Sequence, residues 1–172
     1  NLKLGENKPV LPYEDTRLLS TLTHTFWFLP SISSCYAMKN LLGNNRNNFY
    51  HDYEVIVCAG SKAGIGVKAL APVKSKMDPP NKTKTITLSC GKLTTGVTVR
   101  PWSGLFMLRN TTSPETYFQT AFRIQSPWTI ASDKKNIEEE KILKKECYLF
   151  DFAPNRALRL ITDYCIRLNI DK

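Results

Sequence analysis

The sequence predicts an α/β domain: a mostly parallel sheet of about five or more strands flanked by helices. Two observations carry this. Five short runs rich in β-branched and aromatic residues are apolar throughout rather than alternating, the pattern of strands covered on both faces. Between several of them lie segments with helical start and stop signals. The chain has 172 residues, 42% hydrophobic and 23% charged, enough for one ordinary core, and no compositional break divides it into two.

The runs are His24–Leu29 (HTFWFL), Tyr53–Cys58 (YEVIVC), Lys84–Ser89 (KTITLS), Gly104–Leu108 (GLFML) and Cys147–Phe152 (CYLFDF). The first passes through a Pro-Ser turn into Ser31–Leu42, a helix opened by capping hydroxyls and stopped at Gly43. Residues 43–52 and 72–83 read as polar connectors. Ser113-Pro114-Glu115 sets an N-cap, a first-turn proline and an acid in order, and Pro127 closes the helix that follows. Lys134–Lys145 reads as a charged helix with a solvated face. Pro154–Leu168 reads as a helix with Leu158, Ile161 and Cys165 at core spacing, and Asp151 before it as a local cap beside Asn155 and Arg156. An alternative for 84–99 is an antiparallel hairpin, KTITLSC and LTTGVTV joined through Gly91-Lys92.

Composition narrows the function. No run of about 18 apolar residues is present, so no membrane partner is expected. The first residue is not Met, and the reading is of a piece of a larger protein. The five cysteines, at 35, 58, 90, 147 and 165, form no CxxC pair and have no histidine beside them. That argues against a metal site or a disulfide framework and for a reducing, cytoplasmic compartment. Cys58, Cys90 and Cys147 sit in apolar runs as small hydrophobes. Twenty-four Lys and Arg against fifteen acids give a formal charge of +9, which favours a polyanionic partner, nucleic acid first.

Known catalytic patterns are mostly missing. There is no GxxxxGK[ST] loop and no DExx box. Gly60–Gly66 is glycine-rich after a strand, but Lys68 is not followed by Ser or Thr. Asp133, Glu139 and Lys141 mimic a nuclease pattern inside the charged run, and His24 and His51 have no nucleophile in context, His24 reading as a strand-start residue.

Three blocks remain, running in order from residue 24 to 128. HTFWFLPSISSCYAMKNLL is a strand entering a helix, where free N–H groups and the hydroxyls of Ser31 and Ser33 suit a phosphate. LSCGKLTTGVTVRPW is a strand, a hydroxyl pair at Thr94 and Thr95, then Gly96. SPETYFQTAFRIQSPW sets Phe118, Ala121 and Phe122 at helical spacing for burial, with Glu115, Gln119 and Arg123 as a polar stripe.

In this order the blocks resemble the second-lobe motifs of superfamily-2 helicases and translocases, most like the restriction-modification or phage-defence types. The resemblance implies a RecA-like second motor lobe over residues 1–172, with the N-terminal RecA-like lobe of the same chain as its partner. It implies Ser31, Ser33, Thr94 and Thr95 on a nucleic-acid backbone, DNA in preference to RNA. Gly96, Thr98 and Arg123 would face the nucleotide, with Arg123 as arginine finger and Gln119 orienting the site. ATP and Mg2+ would be held in the longer protein and neither by this lobe alone. The sequence departs from the family at three positions: Thr98 stands where many members carry Asp, Phe122 where Gly is usual, and Ser126 where a second Arg is usual. Two rival readings are a non-catalytic nucleic-acid-binding module on a degenerate helicase fold and a stand-alone Rossmann-type nucleotide enzyme. For the latter, Pro30-Ser31 is a poor substitute for a glycine-rich first turn.

Overall fold

The five apolar runs become five parallel strands of one sheet. The computed structural model describes residues 15–60, 67–94, 96–131 and 140–170. Its elements run β1 (His24–Phe28), α1 (Ile32–Leu42), β2 (Glu54–Val57), α2 (Val67–Met77), β3 (Thr85–Ser89), β4 (Gly104–Met107), α3 (Pro114–Ala121), β5 (Thr129–Ala131), β6 (Glu140–Ile142), β7 (Tyr148–Asp151) and α4 (Pro154–Ile170). The sheet order is β2-β3-β1-β4-β7, every ladder parallel, and β5 and β6 form a separate antiparallel pair. This is an α/β arrangement consistent with the RecA-like class.

Continuous apolarity in the strands has a direct cause. All residues of β1, β3 and β4 are buried, so both faces must suit a core. On one face Phe26, Phe28, Ile56, Leu105 and Met107 pack with Leu70 and Val73 of α2, Tyr117 of α3 and Leu160 of α4. On the other, Trp27, Ile86, Leu88 and Phe106 pack with Cys35 and Leu42 of α1 and with Leu22. Among the described residues no helix is long and apolar enough to cross a membrane.

Four expectations and one alternative need correction. The hairpin over 84–99 does not form: β3 pairs in parallel with β1 and β2, and the described residues after it are loop. The connector expected over 72–83 begins as the second half of α2, with Pro72 inside the helix on its exposed side. An internal proline costs about 3 kcal/mol. Ala69, Leu70, Val73 and Met77 recur on one face and are buried, and each large apolar side chain so buried contributes about 1.5–3 kcal/mol. The charged helix over Lys134–Lys145 is replaced, where described, by strand β6.

α3 ends at Ala121 and tightens into a 3-10 turn, Phe122–Ile124, before Pro127. Its buried face is Tyr117, Thr120, Ala121 and Ile124, not Phe118, Ala121 and Phe122. Phe118 is half-buried against Tyr164, and Phe122 is 46% exposed. α4 buries Leu160 and packs Ala157, while Leu158, Ile161 and Cys165 face outward. It follows the edge strand β7, which gives it a narrow floor.

Cys35 and Cys58 are buried, Cys90 and Cys147 are half-buried, and none is in a disulfide. Burial pushes the Cys35 thiol up to about 12 and the Cys58 thiol to about 11, which leaves both protonated at neutral pH. Among the described residues no group of three His, Cys, Asp or Glu could hold a metal.

Candidate functional site

In open parallel sheets, ligands bind outside the carboxyl ends of the strands where the chain order reverses. Here β1 is flanked by β3 and β4, so the reversal falls at Leu29–Ser31, Ser89–Lys92 and Leu108–Asn110. Ser31 caps α1: its Oγ accepts the Ser34 N–H at 3.1 Å and lies 2.9 Å from the Ser33 hydroxyl and 2.8 Å from that of Ser34. Ser33 is exposed, so this hydroxyl group faces solvent at the helix start.

The loop after β3 is anchored at its root. Ser89 Oγ lies 2.9 Å from the Cys58 carbonyl and 2.6 Å from that of Lys92, sharing one proton between them. Thr94 donates to the Gly91 carbonyl at 2.7 Å and is only 9% exposed, so its hydroxyl proton is used inside the loop. Leu93 has a left-handed backbone, φ 65, with its side chain buried. Such a conformation costs a leucine on the order of 1–2 kcal/mol, and strain of this kind collects at binding loops. Gly96, φ 68, is exposed, and a Cβ built on it would meet nothing within 4 Å. It is needed for its backbone, and open space in front of it would admit a ligand. Thr98 is exposed, and Thr95 lies outside the described residues.

Arg123 joins this loop to α3. Its Nε donates to the Gln119 carbonyl at 3.1 Å and its Nη1 to the Val97 carbonyl at 2.5 Å, one residue beyond Gly96. The side chain is half-buried and makes no ion pair with a described carboxylate, while Gln119, one turn earlier, is exposed. The structure therefore brings Gly96, Val97, Gln119 and Arg123 together. Its contacts do not bring the Ser31 cluster to them.

Three cations matter that the sequence does not single out for this region. Arg109 stands 5.3 Å from the centre of the Phe28 ring and donates to the Cys90 carbonyl at 3.0 Å, closing the crevice between β1 and β3. Arg156 bonds the Arg109 carbonyl and Asn110 Oδ1, each at 3.0 Å, and pairs with Asp151 at 2.6 Å. Asp151 also caps the Ala153 N–H at 2.8 Å, the local role the sequence suggests for it. Lys144 Nζ donates to the carbonyls of Arg100, Trp102 and Ile124 at 2.8, 2.9 and 2.8 Å, tying the far end of the loop to the turn after Arg123. A lone arginine after a strand and a lysine in a charge run give no sequence signal for such roles.

No family model matches this chain. It is similar to a Mycoplasma pneumoniae protein described as "Putative type II restriction enzyme and methyltransferase RM.MpnORF110P C-terminus", 36% identical over 150 residues. The match takes in 86% of this chain and 20% of that protein. The chain thus spans about a fifth of the relative it matches, and it shares sequence with a restriction-and-modification protein over most of its own length.

Proposed function

We propose that this chain is the second RecA-like lobe, a single domain, of an ATP-dependent DNA translocase or helicase serving a restriction-modification system. The observation that carries the reading is the fixing of Arg123 beside the Gly96–Val97 backbone. A planar cation held next to a glycine of open approach would, with ATP bound, stabilise charge on a transferring γ-phosphoryl group. Gln119 is the neighbouring polar group on the same helix. The first lobe would supply the phosphate loop and the acids that hold Mg2+, since this chain's sequence has neither motif. ATP, when bound, supplies the phosphoryl transfer; this lobe's residues orient it and neutralise charge. Ser31 and Ser33, exposed or partly exposed at the start of α1, would meet the DNA backbone, and Gly96 the nucleotide. The relative's description supports DNA as the polymer.

The test is Arg123→Ala in the full-length protein. Nucleic-acid-stimulated ATP hydrolysis should fall by roughly a thousandfold or more while oligonucleotide binding is kept. Wild-type turnover in the variant would end the reading. One observation favours a second reading, a binding module that has lost its motor: two guanidinium nitrogens already serve backbone carbonyls. In that case Arg123→Ala would lower stability and leave any ATP turnover where it was.

A further inference from the structure

The amino edge of the sheet, opposite the crevice described above, carries a second feature. Pro80, Thr23 and Pro101 precede β3, β1 and β4, so the grooves they line open at that edge. One groove of about 890 Å³ is walled by Lys74, Asp78, Thr98 and Arg100, and another of about 380 Å³ by Ser20, Lys145 and Glu146. Pro101 and Trp128 line both, so Trp128 stands between them as a shared wall.

Trp128 is half-buried and rigidly seated. Its carbonyl accepts from the N–H groups of Leu143 and Lys144 at 2.9 and 3.3 Å, and the His24 ring meets its indole edge-on at 6.3 Å. Lys74, Arg100 and Lys145 are exposed on the two sides and pair with no carboxylate among the described residues. Of the two acids, Glu146 receives the Tyr148 hydroxyl. A fixed, partly exposed indole between cationic walls matches the elements of a single-strand site: a base stacked on the ring and phosphates on either side.

We infer that the Trp128 groove is a second contact for single-stranded nucleic acid, on the edge opposite the crevice proposed for the motor track. The inference takes its ligand class from the proposed function but not its location. Cations on both walls, with the indole between, favour a strand running across the ring over a free nucleotide.

Tryptophan emission tests it on the full chain. Within residues 1–172 Trp27 and Trp102 are 5% and 0% exposed, so the quenching that Trp128→Leu removes is that of Trp128. Titration with oligothymidylate should give saturable quenching that weakens steeply with salt, and Trp128→Leu should loosen binding roughly tenfold. Lys74→Ala with Arg100→Ala, both exposed and harmless to the core, should reduce affinity and salt dependence together. Binding seen by anisotropy without an emission change, or unaltered in these variants, overturns the inference. So does equal quenching by ATP alone, which would make the groove a free-nucleotide site. Ser31→Ala with Ser33→Ala separates the two ideas. Loss of binding there alone keeps the motor track and removes this site; loss at Trp128 alone does the reverse; no binding at all removes both.

Discussion

Lys144→Met removes an ammonium while keeping most of the side-chain stem. In the parent the amine serves three backbone carbonyls at 2.8 to 2.9 Å. Each acceptor left without a donor costs about 1 kcal/mol. Part of that returns because no charge need be desolvated, so the net loss at pH 7 should be about 2 kcal/mol. For a chain of this size that corresponds to a fall in Tm of roughly 4–8 °C. The same group gives a pH signature. Burial pushes its pKa down to about 8 from 10.5. Between these values the unfolded chain holds the proton and the folded chain does not, so stability from this group rises with pH across that window. Below pH 8 the desolvation cost is present in full. Urea denaturation of parent and variant from pH 7 to 10 should show their difference growing with pH. A difference that is flat, or that shrinks, refutes the role given to Lys144.

Three further outcomes follow from local geometry. His24 is buried with Nε2 2.7 Å from the Pro80 carbonyl, which must therefore receive a hydrogen, and Nδ1 2.9 Å from the Thr85 hydroxyl. Burial holds its pKa below the ordinary 6.5, so stability should be lost as pH falls from about 6.5, and His24→Gln should flatten that slope in acid denaturation. Gly104→Ala places a Cβ 2.6 Å from Leu22 Cδ2 and 3.0 Å from Thr25 Cγ2, and should cost about 1–3 kcal/mol in chemical denaturation. Arg156→Ala strands the Asp151 carboxylate, whose side chain is 5% exposed, and should cost about 3 kcal/mol; Asp151→Leu with Arg156→Leu should recover part of it.

The sheet was legible because strands covered on both faces have no polar alternation to disguise them, as in HTFWF and GLFM. What failed was phase and exception. α2 is hidden by Pro72, whose penalty a sequence reader counts while the four buried positions around it go unweighed. In α3, Phe118 and Phe122 share the helical period of Tyr117, Ala121 and Ile124, and only the sheet beneath decides which set is buried. In α4, spacing marks an apolar stripe but not whether a neighbour exists to cover it; Leu158 remains 63% exposed. β6 is three residues of a charged segment, EKI, with no strand pattern to read.

The site was legible only where its residues lie close in sequence. The Gln119–Arg123 spacing is local, whereas the contact that gives Arg123 its place, the Val97 carbonyl, is 26 residues away. The carbonyls held by Lys144 are 44, 42 and 20 residues away. With local bonds at its root, these distant contacts fix one loop at three points: at its root by Ser89 and Thr94, in the middle by Arg123, and at its end by Lys144. The loop that includes Gly96 and Thr98 is therefore mechanically continuous with α3 and with the segment after β6. Any substitution at Arg123 perturbs the loop as well as removing a cation. Arg123→Lys is the informative companion to alanine, because an ammonium can still reach one carbonyl but cannot present a planar pair of donors. If loop support is the whole of its role, lysine should restore most of what alanine loses; if the guanidinium also meets a phosphate, stability should return while turnover does not.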